Sequence, residues 1–299
     1  MENTVCNLCG SDSIRPFLTR ADRFTGEVFQ FVSCAQCGLI YLNPRPTQTE
    51  LARYYPANYE AYRSSEYPDL AVEKWDVRRA LDIQLNFVEK FVPRQGHLLD
   101  VGCATGNFMR AARERGWKVA GIEIIEPAAR IAQERYGLNV EIGSLETVRW
   151  PDACFNAITL WDVLEHLPDP KGALKRCHNL LAPGGLLIFS IPNLKSFDRY
   201  LFGRVWIGWD APRHFNMFSE ITIKRLFELT GFELLEQKCL LGGKGTFLLS
   251  LENLFGESWT GVIVKKIYPL ISALLWPYRQ FSYFFKRGPI ITLIARKIA

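Results

Sequence analysis

Residues His97 to Phe108, HLLDVGCATGNF, restrict the fold of this chain more than any other stretch. A short apolar run ends in an acid, a glycine-bearing turn follows, and a helical pattern begins. That order predicts strand, loop and helix, with loop amides and a helix N-terminus at the strand's carboxyl end, where open α/β sheets bind ligands. The dinucleotide fingerprint requires glycines at the first, third and sixth loop positions; Gly102, Ala104 and Asn107 meet only the first of these. As the shorter G-x-G-x-G pattern, Gly102 and Gly106 match and Ala104 stands between them.

Alternation of strands and helices continues downstream. Asn107–Arg115 reads as a helix closed by Gly116, and Lys118–Ile122 as a second strand ending in Glu123. Pro127–Tyr136 follows as a helix and Asn139–Ile142 as a third strand. Phe155–Trp161 is the fourth strand and runs into DVLEHLPDP; the helix Lys171–Leu181 then leads through Ala182-Pro183-Gly184-Gly185 to a fifth strand, Leu186–Ile191. Ser219 caps a helix ending at Thr230, Phe232–Leu240 is the sixth strand and Ile290–Lys297 the seventh.

DVGCATGNF, WDVLEHLPDP and LLAPGGLLIFSIPN, in that order, resemble class I S-adenosylmethionine (SAM) methyltransferases. The resemblance implies an α/β, seven-stranded Rossmann-like sheet with its last strand antiparallel, over residues 96–299. It also implies that Asp100 orients the glycine loop, that Gly102, Ala104 and Gly106 approach the methionine half of SAM, and that Glu123 takes the ribose hydroxyls. Ile124, Leu145, Trp161 and Asp162 complete the cofactor residues it implies. At Ser144 the sequence departs from the family's acid, which leaves the adenine contact to the Leu145 backbone or to Glu146.

The N-terminal segment carries Cys6-x-x-Cys9-Gly10 and Cys34-x-x-Cys37-Gly38. Each glycine permits the tight turn of a knuckle, and two facing knuckles supply four thiolates for tetrahedral zinc. Residues 1–45 are therefore expected to form a zinc ribbon, and 46–95 a linker and capping helices, with apolar spacing from Leu70 to Phe91. Residues 1 to 60 hold five Arg, no Lys and six acids, which argues against a phosphate-backbone partner. Eight cysteines and an N-terminal MENTVCNLCG without an apolar signal core lead to the expectation of a cytoplasmic protein with reduced thiols or metal ligands.

The net charge of +5 is uneven. From Ser258 onward there are seven basic residues and no acid, so the preceding residues carry a small negative net charge. Residues 241–288 read as an apolar helical insertion before the last strand, with ten aromatics including Trp259, Trp276, Tyr278 and Tyr283. Its longest uncharged run, Ile267–Tyr278, is too short to span a bilayer. Aromatics flanked by Lys and Arg suit an anionic membrane surface contacted through 245–286, with a homodimer interface or a substrate tunnel as competing readings.

Transfer from a sulfonium needs alignment of acceptor and methyl and, for a hydroxyl or carbon acid, removal of a proton. His166 at the fourth strand's tip and His214 in the long segment after the fifth are the candidate bases, with Glu165 and Asp162 as helpers. Trp206, Trp209, Arg213, Phe215 and Phe218 in that segment are expected to wall an acceptor site. WDVLEHLPDP also resembles ubiquinone-pathway O-methyltransferases, whereas the paired C-x-x-C ribbon resembles that of sugar C-methyltransferases. The implied acceptor is a small or lipid-linked molecule methylated on O or C, of quinone/phenol or sugar type. A nucleotide-sugar C-methyltransferase and a non-catalytic SAM-binding scaffold are the alternatives.

Overall fold

The computed structural model describes residues 1–55, 75–92, 96–240, 242, 244–255, 267, 270 and 273–298. Trp259, part of the Leu70–Phe91 helical stretch and much of the expected insertion lie outside them. The described strands are, in chain order, β1 (Ile14–Ala21), β2 (Val28–Cys34), β3 (Ile40–Leu42), β4 (His97–Val101), β5 (Lys118–Glu123), β6 (Val140–Ile142), β7 (Phe155–Trp161), β8 (Leu181–Pro192), β9 (Asn216–Met217), β10 (Phe232–Lys238) and β11 (Ile290–Lys297). The principal helices are α1 (Trp75–Glu89), α2 (Asn107–Glu114), α3 (Glu126–Arg130), α4 (Pro170–Leu180), α5 (Phe197–Phe202), α6 (Glu220–Thr230), α7 (Lys244–Phe255) and α8 (Trp276–Phe284).

The chain divides into two compact units: Met1–Tyr54 with Ile191–Arg225 and Gln237–Thr292, and Tyr55–Ser190 with Leu226–Glu236 and Leu293–Ala299. Chain order alone suggests ribbon, linker and methyltransferase domain in succession, and the compact units do not follow it. Ribbon, long segment and insertion form one of them together.

The seven-stranded sheet has the order β10-β11-β8-β7-β4-β5-β6. Strands β4, β5, β6, β7 and β8 pair in parallel, and the last strand returns antiparallel. Parallel strands covered on both faces need near-continuous apolar runs, and AITLW and LLIFSI provide them. Leu98, Leu99, Ile158, Leu160, Leu187, Ile188 and Phe189 are accordingly fully buried. Strand β8 begins at Leu181, five residues earlier than the sequence suggests. Its register jumps from Phe155↔Leu181 to Ala157↔Leu186, so the Ala-Pro-Gly-Gly turn survives as an irregularity inside a longer strand. The second predicted helix narrows to α3 and continues as a π-helical turn, Ile131–Arg135.

In the other unit β1, β2, β3 and β9 form an antiparallel sheet, with Ile40 opposite Met217. Its core joins Phe31 and Leu42 of the ribbon to Trp206, Trp209, Phe215 and Phe247. The aromatic residues expected to wall an acceptor site are therefore mostly core; burying each contributes about 2–3 kcal/mol. Arg213 is likewise committed within this unit. Its guanidinium donates to Asp210 (2.6 and 2.7 Å), Asp22 (2.8 Å) and the Tyr54 carbonyl (2.7 Å), with no exposed surface. Burial alone would raise the Asp210 pKa, but the Arg213 hydrogen bonds and charge bring it down to about 2.

Candidate functional site

The order of the large sheet reverses at β4, which has β5 on one side and β7 on the other. Such a switch point opens a crevice beyond the strands' carboxyl ends, and the three motifs converge on it. The glycine loop leaves β4 here. Gly102 and Gly106 adopt φ of 71° and 80°, and a Cβ would stand 2.6 Å from Val163 Cγ2 at the first and 2.4 Å from Leu138 Cδ1 at the second. Only glycine satisfies both the backbone conformation and the space. Ala104 also lies in the left-handed region, at φ 47°.

What holds this turn differs from the expectation. The Ala104 amide donates to Glu123 Oε2 and the Ile125 amide to Glu123 Oε1, both at 2.8 Å. Glu123 is thus the acid that fixes the loop. Asp100 instead accepts from Thr159 Oγ1 at 2.7 Å, across the parallel β4/β7 register that sets these residues opposite each other. Each Glu123 oxygen keeps a further lone pair for a ligand hydroxyl. Both acids are buried, and burial raises both pKa values; Asp100, with Glu123 repelling its charge, reaches about 7. Ile124 beside them is exposed, whereas Leu145, in the turn after β6, is buried.

At the tip of β7, Asp162 also has a positive φ, 55°. This conformation is disfavoured outside glycine, although Asp adopts it more readily than most residues. Ser190 of β8 fixes it twice, donating to Asp162 Oδ1 at 2.7 Å and accepting from the Asp162 amide at 2.9 Å. Trp161 is oriented edge-on by Phe108, their ring centroids 5.3 Å apart, and its buried Nε1 donor has no protein partner. Glu165 is buried with one oxygen unpaired, and burial, reinforced by Asp162, pushes its pKa well up. His166 Nδ1 lies 3.3 Å from the Tyr55 hydroxyl. His214 belongs to the other unit; its Nδ1 is 2.9 Å from the Gly208 carbonyl, which requires the proton on Nδ1 and places the neutral ring's lone pair on Nε2.

Sequence reasoning missed Thr159, Ser190 and Tyr55. A hydroxyl inside an otherwise apolar parallel strand was the available sign for the first two. The arrangement offers acceptors for ligand hydroxyls, an unpaired indole donor and a loop cleared of side chains at Gly102 and Gly106. That donor set fits SAM, whose amine and ribose need acceptors and whose carboxylate needs donors.

In the ribbon, Cys6 Sγ and Cys37 Sγ are 3.4 Å apart and Cys9 Sγ and Cys34 Sγ 3.5 Å, all four lying within 4.8 Å of one another. A tetrahedral zinc with bonds of about 2.3 Å requires sulfurs about 3.8 Å apart, so the cluster fits one. Gly10 and Gly38 close the knuckles with amides donating to the Cys6 and Cys34 carbonyls.

The methyltransferase domain model matches residues 74–237. The chain is 29% identical to the ubiquinone biosynthesis O-methyltransferase of Coxiella burnetii over 158 residues, covering 48% of this chain and 67% of that one. It is 28% identical to the protein of the same name from Idiomarina loihiensis over 198 residues, 59% and 81% of the two chains. A SAM-dependent methyltransferase structure from Mesorhizobium loti matches at a TM-score of 0.50 and 17% identity, over 73% of this chain and all of that one. With the glycine loop, the β7 tip and the sheet order in place, the chain belongs to the class I SAM-dependent methyltransferases.

Proposed function

We propose that this enzyme transfers the methyl group of SAM to a phenolic or quinol oxygen of a small or lipid-linked acceptor. The observation that carries this reading is the likeness, across the methyltransferase domain, to ubiquinone biosynthesis O-methyltransferases. When bound, SAM supplies an electrophilic methyl on a cationic sulfur. Glu123 takes the ribose hydroxyls, the turn at Gly102, Ala104 and Gly106 admits the methionine half, Asp100 and Asp162 accept from its amine, and Ile124, Leu145 and Trp161 border the cofactor. The remaining task is to take the acceptor proton as the oxygen attacks. His166 and His214 are the candidate bases, with Glu165, whose pKa is raised by burial and then by the Asp162 charge, as a helper next to His166 in the chain.

The test is single-turnover methylation of catechol-type phenols, beside nucleotide sugars as controls. Replacing the true base by Ala should lower kcat about 10²–10⁴-fold with SAM affinity unchanged. Product methylated on carbon in a nucleotide sugar, with phenols inert, would replace this reading with the sugar one. Cys6, Cys9, Cys34 and Cys37 hold a structural zinc in the same proposal, and thiols kept reduced as its ligands suit a cytoplasmic location. Metal analysis should return about one zinc per chain; four freely titratable thiols and no zinc would remove that claim.

A further inference from the structure

Large apolar side chains stand in water on α5 and α8, both within the ribbon-containing unit. Trp276, Phe281, Phe284 and, just past the helix end, Phe285 are each more than half exposed, Phe284 reaching 82%. At about 100° per residue these four fall on one half of the helix circumference. The opposite half is anchored: Ser282 is buried, and the Tyr278 hydroxyl donates to buried Asp198 at 2.7 Å. Helix α5 extends the patch. Phe197 stacks on Phe281 with centroids 5.9 Å apart, and about one turn further along α5 Tyr200 and Leu201 are 65% and 63% exposed. Single exposed apolar residues are ordinary, whereas a contiguous aromatic patch of this kind marks an interaction surface.

The charge around the patch is positive. Arg199 and Arg204, with Phe17, Tyr200 and Trp209, line an open cavity of about 330 Å³ that has no carboxylate in its wall. The Arg199 guanidinium lies over both the Tyr200 and Trp209 rings, 5.5 and 5.6 Å from their centroids. Lys286 and Arg287 directly follow Phe285, and no Asp or Glu occurs after Glu257. Neither Arg204 nor Lys286 makes an ion pair among the described residues.

We propose that this face seats the protein on an anionic membrane, with the α5 and α8 aromatics at the headgroup–acyl boundary and the Arg199/Arg204 cavity receiving a lipid phosphate. Charge decides between occupants. A second copy meeting the patch through a two-fold axis would bring its own uncompensated cations against these, whereas an anionic leaflet complements both the rings and the cations. No helix among the described residues is long and apolar enough to cross a membrane, so the contact is interfacial. This inference goes beyond the methyl-transfer reading and does not depend on it.

The experiment is co-sedimentation of the full chain with phosphatidylglycerol-containing or pure phosphatidylcholine vesicles at low and high salt, with Trp276 emission followed in parallel. Two double variants accompany it, L201S/F284S and R204Q/K286Q, all at exposed positions outside the catalytic machinery. The expected result is at least tenfold tighter binding to the anionic vesicles, weakened by salt and reduced at least tenfold in each variant, with a blue shift that W276F abolishes. Protein that stays in the supernatant, binds both vesicle types equally, or binds regardless of the substitutions overturns the proposal. So does a wild-type dimer that L201S/F284S converts to monomer in sedimentation velocity, because the face would then join two copies. Turnover of a water-soluble phenol should be unchanged in both variants, which separates this result from any failure of the methyl-transfer reading.

Discussion

Each unit buries a cluster of carboxylates, and the two clusters are managed in opposite ways. In the ribbon unit Asp22 and Asp210 share the guanidinium of Arg213, and the Asp210 pKa falls to about 2. In the sheet unit burial dominates at Asp100, Glu123 and Glu165, none of which forms an ion pair among the described residues, and all three pKa values rise. Paired acids form a closed structural node. Acids left without a counter-charge at the end of a sheet form a site whose missing partner is a ligand, and a cationic cofactor is the natural one.

The comparison breaks most readily at its strongest member. Arg213→Met should leave Asp22 and Asp210 buried with only the longer Arg23 contact to Asp210, at 3.7 Å, and cost about 3–5 kcal/mol, read from urea unfolding. If the loss is under about 1 kcal/mol, water reaches the node and its acids are not truly paired. Glu123→Ala removes the acceptor of the Ala104 and Ile125 amides together with the proposed ribose contact, and should weaken SAM binding by about 100-fold in calorimetry. Glu123→Gln, which keeps one acceptor oxygen, should recover part of that affinity.

The smallest expected effect concerns pH. The Asp100 pKa is raised in the folded chain, so the proton it retains favours folding below the unfolded value and that contribution is lost as pH rises through about 7. Stability should therefore decline by about 2 kcal/mol between about pH 5.5 and 7, and Asp100→Asn, which preserves the Thr159 contact, should flatten that decline. Arg213 should show no such dependence in this window, because Asp210 is already ionised throughout it.

Much of the large sheet was legible because its signals are local. An apolar strand, a glycine turn and a helix lie within a dozen residues, and β7 and β11 coincide with their predicted bounds. Glu123 was recognisable as a strand-tip acid, but its bonds to the loop were not, since they depend on how the turn folds back over β5. The long segment after β8 was misleading for a different reason. Trp206, Trp209 and Arg213 have the composition of a binding wall, and only the pairing of β9 with β3 reveals that they complete the ribbon's core. Arg213 and Asp22 are 191 residues apart, and no local pattern announces a partner at that distance.

That pairing also has a consequence in time. Ile40 and Met217 are neighbours in one sheet, yet during synthesis the second emerges about 9–35 s after the first at roughly 5–20 residues per second. Throughout that interval the ribbon lacks its fourth strand and Asp22 lacks Arg213, while the four cysteines are already available to bind metal. With the proposed zinc bound early, the nascent N-terminus would have a fixed knot before its core exists, and on that proposal metal scarcity should appear first as loss of newly made chains and only later as loss of activity in the folded enzyme.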